Sequence, residues 1–138
     1  MIRVLTNDGL QEGAINKLIS LGFEVINNHY DKEKLGTALK DFDILVIRSA
    51  TKVTADILNQ AQGGKLKLII RAGVGIDNID VSYAKQKGIV VKNTPNASSD
   101  SVAELAIGHM LALARFIAIS NLLWEMGNGI RKKWRYRA

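Results

Sequence analysis

Short runs of Ile, Val and Leu alternate along the chain with segments whose apolar residues fall at helical spacing. The apolar runs predict buried strands over residues 2–6, 23–26, 44–47, 68–71 and 89–91. The intervening segments predict helices over residues 10–21, 31–40, 54–60 and 81–87. Gly22 and Gly88 each stand between a predicted helix and the next strand, where a left-handed residue commonly ends a helix. The alternation predicts a repeated strand and helix unit, which is typical of α/β domains.

The repeated unit constrains the sheet as well as its strands. Crossovers between parallel strands are almost always right-handed, so the connecting helices come to cover both faces of the sheet. We expect a flavodoxin-like, three-layer αβα fold with a five-stranded parallel sheet in the order 2-1-3-4-5, plus a long C-terminal helix. The 138 residues have room for one such domain. Because the pattern changes at the turn around Pro95, we expect one domain over residues 1–95 and a separate segment over residues 96–138.

A long apolar segment follows this turn. Ser101 and Glu104 have the spacing of a capping box, which predicts a helix from Ser101 to about Leu123. Residues 105–124 approach the length of a membrane span, but polar residues interrupt them, namely His109, Arg115, Ser120 and Asn121. The helix is apolar on more than one side, so a single sheet face cannot cover it. We interpret it as a buried or interface helix and expect self-association through residues 101–123.

The net charge of +6 raises the possibility of a nucleic-acid or membrane partner. Five of the basic residues lie within residues 131–137, and the rest of the chain is close to neutral. No nucleic-acid-binding motif accompanies this basic tail, so we expect neither nucleic acid nor membrane as a partner. The chain has no cysteine and no ligand spacing typical of a metal site, so we expect a cytoplasmic protein without disulfides or a bound metal.

Polar residues and glycines follow each predicted strand, where open parallel sheets bind their ligands. Arg48 follows the third strand and Arg71 ends the fourth, so the two side chains should converge on one edge of the sheet. A guanidinium group matches two oxygens of a phosphate or carboxylate at once. The alternative is that each arginine pairs with a nearby aspartate. Two arginines at one edge favour anion binding.

A glycine-rich segment, RAGVGIDN, begins at Arg71. Consecutive small residues can turn their backbone N–H groups toward an anion, so the amides of residues 72–75 predict a cradle for a carboxylate. A tight turn whose glycines serve only geometry is the alternative. The segment imitates a dinucleotide-binding fingerprint, but Asn78 stands where the third glycine is required. We therefore do not expect a complete Rossmann loop here.

Other polar residues have simpler interpretations. Ser98 and Ser101 lie near a predicted helix N-terminus, which favours anions, although capping explains them as well. His29 and His109 titrate near neutrality, but neither has neighbours in the sequence that indicate a general base, so we expect structural roles for both.

Three blocks together carry a family resemblance: IRSATKVT over residues 47–54, RAGVGIDNID over residues 71–80, and NTPN followed by SVAEL over residues 93–105. They resemble the NAD-dependent D-2-hydroxyacid dehydrogenases, and within that family the phosphoglycerate dehydrogenases. The resemblance extends from residue 1 to about residue 124. Three blocks in the same order and at the same spacing are far more specific than any one of them alone.

The resemblance implies roles for individual residues. It places substrate binding on the cluster formed by Arg48, Ser49, Arg71, Ala72, Gly73, Val74 and Gly75, with the backbone amides of the last four residues holding a carboxylate. It also implies that Val74 lies near the nicotinamide of NAD, and that Ser98, Ser101 and Val102 face the cofactor. The implied substrate is 3-phosphoglycerate or a related small 2-hydroxyacid, in L-serine biosynthesis, and the implied assembly is a homo-oligomer such as a dimer.

The same resemblance implies what residues 1–138 do not contain. In the family, a Rossmann fingerprint and a catalytic arginine, glutamate and histidine follow at positions beyond residue 138. We therefore assign no catalytic residue, and His29 and His109 do not take the role of the family's histidine. Residues 1–95 are expected to bind substrate, and residues 96–138 to form an interdomain helix and the start of an NAD-binding domain. The chain alone is expected to be inactive; the alternative is a stand-alone anion-binding or interaction module without catalysis.

Overall fold

A computed structural model describes residues 1–127 of the chain. The chain divides into two compact units, one over Met1–Ala97 and one that begins at Ser98. The first unit contains the sheet and its covering helices. The second begins with two apolar helices.

The first unit is a five-stranded parallel sheet in the order β2-β1-β3-β4-β5, with helices on both sides, which confirms the predicted fold class. The strands are β1 (Arg3–Thr6), β2 (Glu24–Asn27), β3 (Ile44–Ile47), β4 (Leu68–Arg71) and β5 (Val90–Asn93). The helices are α1 (Glu12–Ser20), α2 (Lys32–Ala38), α3 (Ala55–Gln60) and α4 (Val81–Gln86), and a 3-10 turn over Leu39–Asp41 extends α2. Most predicted bounds differ from these by one or two residues.

One face of the sheet carries the core. The strand register places Leu5, Leu45 and Ile69 side by side on this face, and all three are fully buried. Buried apolar side chains of α2, α3 and α4 pack against them, including Leu35, Ile57, Leu58 and Ala84. Burial of each large aliphatic side chain stabilises the fold by about 1.5–3 kcal/mol. The rigid support of the strand ends therefore comes mainly from this face, since α1 has no buried residue.

The glycines at the ends of α1 and α4 have the left-handed conformation that the sequence predicts. Gly22 has a φ of 89° and Gly88 a φ of 72°. At Gly88, the N–H of Ile89 donates to the carbonyl of Ala84, and the N–H of Gly88 donates to that of Lys85. The same pair of bonds occurs at Gly22, so both helices end in a Schellman motif. A residue with a side chain would be strained at either glycine.

The second unit corrects two predictions about the C-terminal helix. There are two helices, α5 (Ser99–Ala114) and α6 (Ile117–Glu125), and the chain is bent between them at Phe116, whose φ is 54°. The helix also begins earlier than predicted. Ser98 occupies the N-cap position, so Ser101 already lies in the first turn of α5 and cannot form the predicted capping box. Neither glycine nor proline marks the bend, so its position had no signal in the sequence.

The apolar side chains of the second unit are exposed. Neither α5 nor α6 contains a buried residue, and Leu113 and Trp124 are 75% and 78% exposed. The interpretation as a buried helix is therefore wrong for this part of the chain, and its role as an interface stays a prediction. Among residues 1–127, no single helix has both the length and the hydropathy of a membrane span; α5 and α6 pass that test only as a pair, which is bent by 60°. The basic tail over residues 131–137 lies outside the described residues.

Candidate functional site

The two candidate arginines lie at the ends of adjacent strands. Arg71 is the last residue of β4, where it pairs with Ile47 of β3 on one side and Asn93 of β5 on the other. Arg48 directly follows Ile47. The structure therefore brings both residues to the carboxyl edge of the sheet, at the ends of β3 and β4. Open parallel sheets bind ligands at this edge.

Neither guanidinium group is neutralised by a carboxylate of the described chain. The ion pairs between side chains within residues 1–127 are Arg3 with Glu24 and His29 with Asp31. The Nε atom of Arg71 is buried and has no hydrogen-bond partner. Leaving a buried donor unsatisfied costs about 1–3 kcal/mol. The alternative that Arg71 pairs with a nearby aspartate is not observed. The charge of its side chain is therefore available to an anion.

Arg71 also explains the glycine that follows it by two residues. A Cβ atom built on Gly73 would lie 1.7 Å from Nη1 of Arg71 and 2.7 Å from its Cζ. The guanidinium group therefore folds across Gly73, and only a residue without a side chain leaves it that space. The missing side chain of Gly73 thus leaves room for the observed position of the Arg71 guanidinium.

The predicted cradle of four amides is wrong for two of them. The N–H of Ala72 donates to the carbonyl of Ile47 at 2.8 Å, because it continues the parallel ladder one residue beyond β4. The N–H of Gly73 donates to the carbonyl of Arg71 at 2.9 Å and closes a three-residue turn. Of the four, only the amides of Val74 and Gly75 have no acceptor within the described residues. A nest for one small anionic group is reduced to these two N–H groups.

The end of β5 fixes the glycine turn from the other side. Asn93 donates from Nδ2 to the carbonyl of Val74 at 2.6 Å, and the N–H of Thr94 donates to the carbonyl of Gly73 at 3.0 Å. These two hydrogen bonds connect the glycine turn to the end of β5. Sequence reasoning noted the polar turn after the fifth strand but did not assign Asn93 to the site.

The loop that carries Arg48 has its own contacts. The Asp8 carboxylate, just beyond β1, accepts hydrogen bonds from the N–H of Arg48 at 2.7 Å, from the N–H of Thr51 at 3.1 Å, and from the Thr51 hydroxyl. Burial raises the pKa of Asp8, but the bonds from Thr51 and Arg48, together with the charge of His29, outweigh it and lower the pKa below the usual 3.8. Asp8 is therefore ionised at neutral pH.

Asn78 takes part in the same loop. Its Nδ2 donates to the carbonyl of Arg48 at 2.9 Å and to the carbonyl of Thr51 at 2.7 Å. This residue replaces the third glycine of a dinucleotide fingerprint, and its side chain is already engaged by the protein. The turn after β4 therefore does not fit the pyrophosphate of a dinucleotide. Asp8 and Asn78 were absent from the predicted site, and the only signal for Asp8 was its place directly after a strand.

None of the other predicted site residues forms a side-chain hydrogen bond within the described residues. Ser49 is exposed in the loop after β3, and the side chain of Val74 is half exposed at the glycine turn. In the second unit, Ser98 is the N-cap of α5, and Ser101 and Val102 are exposed in its first two turns.

The two histidines differ in their contacts, and the structural roles expected for them stay predictions. His29 contacts the carbonyl of Asn7 through Nδ1 at 2.9 Å and lies 3.6 Å from the carboxylate of Asp31. His109 is exposed on α5. His29 also lines a surface cleft of about 440 Å³ above β1 and β2, together with Thr6, Asn7, Asp8, Gly9, Asn27, Asn28 and Ala50.

Comparison with known families identifies the region. A family model described as "D-isomer specific 2-hydroxyacid dehydrogenase, catalytic domain" matches residues 4–130. The chain is 49% identical over 137 residues to a hydroxypyruvate reductase of Thermotoga maritima, a match that covers 99% of this chain and 42% of the relative. It is 47% identical over 135 residues to a D-3-phosphoglycerate dehydrogenase of Methanocaldococcus jannaschii, a match that covers 98% of this chain and 25% of the relative. The chain therefore spans less than half of either relative.

Solved structures share the fold. The TT0316 protein from Thermus thermophilus superposes with a TM-score of 0.80 at 26% identity, over 99% of this chain and 43% of that one. An NAD+-bound 3-phosphoglycerate dehydrogenase of Entamoeba histolytica superposes with a TM-score of 0.67 at 34% identity, over 80% of this chain and 38% of that one.

Proposed function

Because the chain belongs to the D-isomer specific 2-hydroxyacid dehydrogenase family, we propose that it supplies the substrate-binding part of an NAD-dependent enzyme of that family. Arg71 is the observation that carries the proposal. Its guanidinium group lies at the carboxyl edge of the sheet, folded over a glycine turn, and forms no ion pair within the described residues. An anionic substrate would supply the missing ion-pair partner.

Two unpaired arginines favour a substrate with two anionic groups. We propose 3-phosphoglycerate, which carries a carboxylate at one end and a phosphate at the other, and a place for the enzyme in L-serine biosynthesis. The amides of Val74 and Gly75 would hold the carboxylate, while Arg48, Ser49 and Arg71 would bind the remaining oxygens. This binding fixes the position of the carbon that carries the hydroxyl group, which is how a binding domain contributes to the rate.

Hydroxypyruvate is the second candidate, because a relative at 49% identity is named a hydroxypyruvate reductase. This substrate has a single carboxylate and would leave one of the two arginines without an anion. Replacing Arg48 by alanine separates the candidates. The substitution should lower the affinity for 3-phosphoglycerate strongly and the affinity for hydroxypyruvate only slightly. An equal loss of affinity for both ligands would contradict the choice of 3-phosphoglycerate.

We propose that only a few residues of this chain contact the NAD cofactor. NAD accepts the hydride in such enzymes, but the glycine turn does not provide its pyrophosphate site, because Asn78 occupies the third glycine position and is engaged with the loop after β3. From the family resemblance we propose that Val74 lies near the nicotinamide. On the same basis Ser98, Ser101 and Val102, at the start of α5, would contact the cofactor.

Isothermal titration and amide NMR test the binding function directly. Adding 3-phosphoglycerate to residues 1–138 should shift the amide signals of Val74 and Gly75 and the side-chain signals of Arg48 and Arg71. The amides of Ala72 and Gly73 should shift less, because they keep their own acceptors. No binding, or shifts confined to other regions, would refute the proposed site.

A turnover assay tests whether this chain is only a binding part. We expect no reduction of NAD by residues 1–138 with 3-phosphoglycerate, because the family's cofactor fingerprint is absent from this sequence. Measurable turnover would overturn that expectation. The alternative remains a stand-alone flavodoxin-like binding or interaction module, and sequencing the coding region beyond Ala138 separates it from a part of a longer enzyme. A cytoplasmic location and the assignment of residues 1–95 to substrate binding and of residues 96–138 to an interdomain helix stay predictions.

A further inference from the structure

Two residues of the loop after β3, Arg48 and Thr51, are each clamped through both their N–H and their carbonyl group. Asp8 accepts the N–H groups of Arg48 and Thr51, and Asn78 donates to the carbonyls of the same two residues. Asp8 comes from the end of β1, and Asn78 comes from the segment after β4. Residues far apart in sequence therefore converge on one four-residue loop, which has no regular secondary structure of its own.

Further hydrogen bonds connect the clamp to neighbouring segments. Thr51 is buried, and its hydroxyl accepts a hydrogen bond from Nδ2 of the buried Asn7 at 2.8 Å. Next to the clamp, the N–H of Val53 donates to the carbonyl of Asn78 at 2.8 Å, and the N–H of Asp80 donates to the carbonyl of Val53. The segments after β3 and β4 thus form a short parallel bridge, which fixes Asn78 relative to the loop.

The Asp8 carboxylate binds the backbone of Arg48 and not its side chain. A carboxylate in contact with an arginine residue would ordinarily pair with its guanidinium group. Here Asp8 binds the backbone N–H of Arg48 instead, and within the described residues the side chain of Arg48 forms no ion pair. The carboxylate therefore fixes the position of the residue without neutralising its cation.

We propose that Asp8 and Asn78 are positioning residues, which hold the loop over residues 48–51 so that the cation of Arg48 is presented to an anionic ligand at the carboxyl edge. The identity of the ligand in this inference rests on the proposed function. The clamp itself rests only on the hydrogen bonds of Asp8 and Asn78. A loop fixed before the ligand arrives loses less conformational entropy on binding, so the clamp should raise affinity without contacting the ligand.

Two substitutions test the two halves of the clamp. Asp8→Ala removes the acceptor, whereas an asparagine oxygen could replace Oδ2, which alone accepts both N–H groups. Asn78→Asp removes the Nδ2 donor and turns an oxygen toward two carbonyls. Asp43→Ala is the matched control: the Asp43 carboxylate accepts the backbone N–H of Arg3 at 2.9 Å, also across 40 positions in sequence, but at the amino end of the sheet.

Two measurements on residues 1–138 are expected to change together. In the absence of ligand, the amides of Arg48 and Thr51 should exchange with solvent about tenfold faster or more in both clamp variants, which corresponds to about 1.4 kcal/mol. The dissociation constant for 3-phosphoglycerate should rise by about tenfold. The control variant should leave both values as they are in the unsubstituted chain, even if its melting temperature falls.

The exchange and affinity measurements test the clamp and the proposed function separately. Unchanged exchange at Arg48 and Thr51 in both clamp variants would show that these side chains do not hold the loop. Faster exchange with unchanged affinity would show that the held loop does not position a ligand group. If the unsubstituted chain binds no 3-phosphoglycerate while exchange still rises in the variants, the proposed function fails and the clamp itself stands.

Discussion

Arg71→Ala gives the sharpest test of the site, because a ligand-binding arginine and a structural arginine respond in opposite ways. In the described chain, the Arg71 guanidinium has no carboxylate partner and its Nε is a buried donor without an acceptor. Removing it therefore breaks no ion pair and eliminates an unsatisfied group whose cost is about 1–3 kcal/mol. The loss of packing by the half-buried stem opposes this gain. We expect the free energy of unfolding to change by about 1 kcal/mol or less.

Ligand affinity should respond far more strongly. A hydrogen bond to a charged group contributes about 1.5–3 kcal/mol, which corresponds to a loss of about 10-fold to 150-fold in affinity. Isothermal titration with 3-phosphoglycerate measures this loss, and urea denaturation followed by circular dichroism measures the free energy of unfolding. The expected signature is a large change in the dissociation constant with little change in the denaturation midpoint.

Arg3→Ala is the matched control with the reverse expectation. Arg3 lies at the amino end of β1, where its Nε is 3.2 Å from Glu24, its Nη1 donates to the carbonyl of Asp41, and its guanidinium lies 4.9 Å from the centre of the Phe42 ring. These contacts are partly exposed and together contribute about 1 kcal/mol. Arg3→Ala should lower the free energy of unfolding and leave affinity unchanged. Unchanged affinity for 3-phosphoglycerate in Arg71→Ala would refute the assignment of Arg71.

Three further predictions follow from other parts of the structure. Gly73→Ala should weaken 3-phosphoglycerate binding in isothermal titration as Arg71→Ala does, because the new Cβ displaces the Arg71 guanidinium; retained affinity would contradict the contact. Since folding lowers the pKa of Asp8 below 3.8, protection of the Arg48 and Thr51 amides should be full at higher pH and disappear as the pH falls through that lowered pKa, whereas Asp8→Asn should show no such step in hydrogen exchange. The exposed apolar residues of α5 and α6 predict self-association, so light scattering should show an oligomer that Leu113→Arg dissociates, and a monomer at high concentration would count against it.

The sequence predicted the parts of the fold that depend on local pattern. Alternating apolar runs located all five strands, and glycines after predicted helices located both Schellman motifs. The arginines at the sheet edge followed from the rule that ligands bind beyond the carboxyl ends of parallel strands. Each of these signals is carried by residues within a few positions of one another.

The remaining features depend on contacts that a linear pattern does not contain. Asp8 meets Arg48 across 40 positions, and Asn78 meets it across 30. The amide of Ala72 is occupied because the ladder with β3 extends one residue beyond the strand, which only the register reveals. The bend at Phe116 occurs without glycine or proline, and Ser98 rather than Ser101 occupies the N-cap position of α5 although both are serines.

The acids near the two arginines are bound elsewhere and leave both guanidinium groups without an ion-pair partner in the described chain. Asp8 is bound by backbone amides, and Asp80 accepts the N–H of Tyr83 as the N-cap of α4. Asp77 lies against Gly75, where a Cβ would approach its Oδ1 to 2.8 Å. None of these nearby carboxylates forms an ion pair with Arg48 or Arg71 in the described chain. On the proposed function an anionic ligand pairs with these arginines, and affinity for 3-phosphoglycerate should therefore decrease as ionic strength rises.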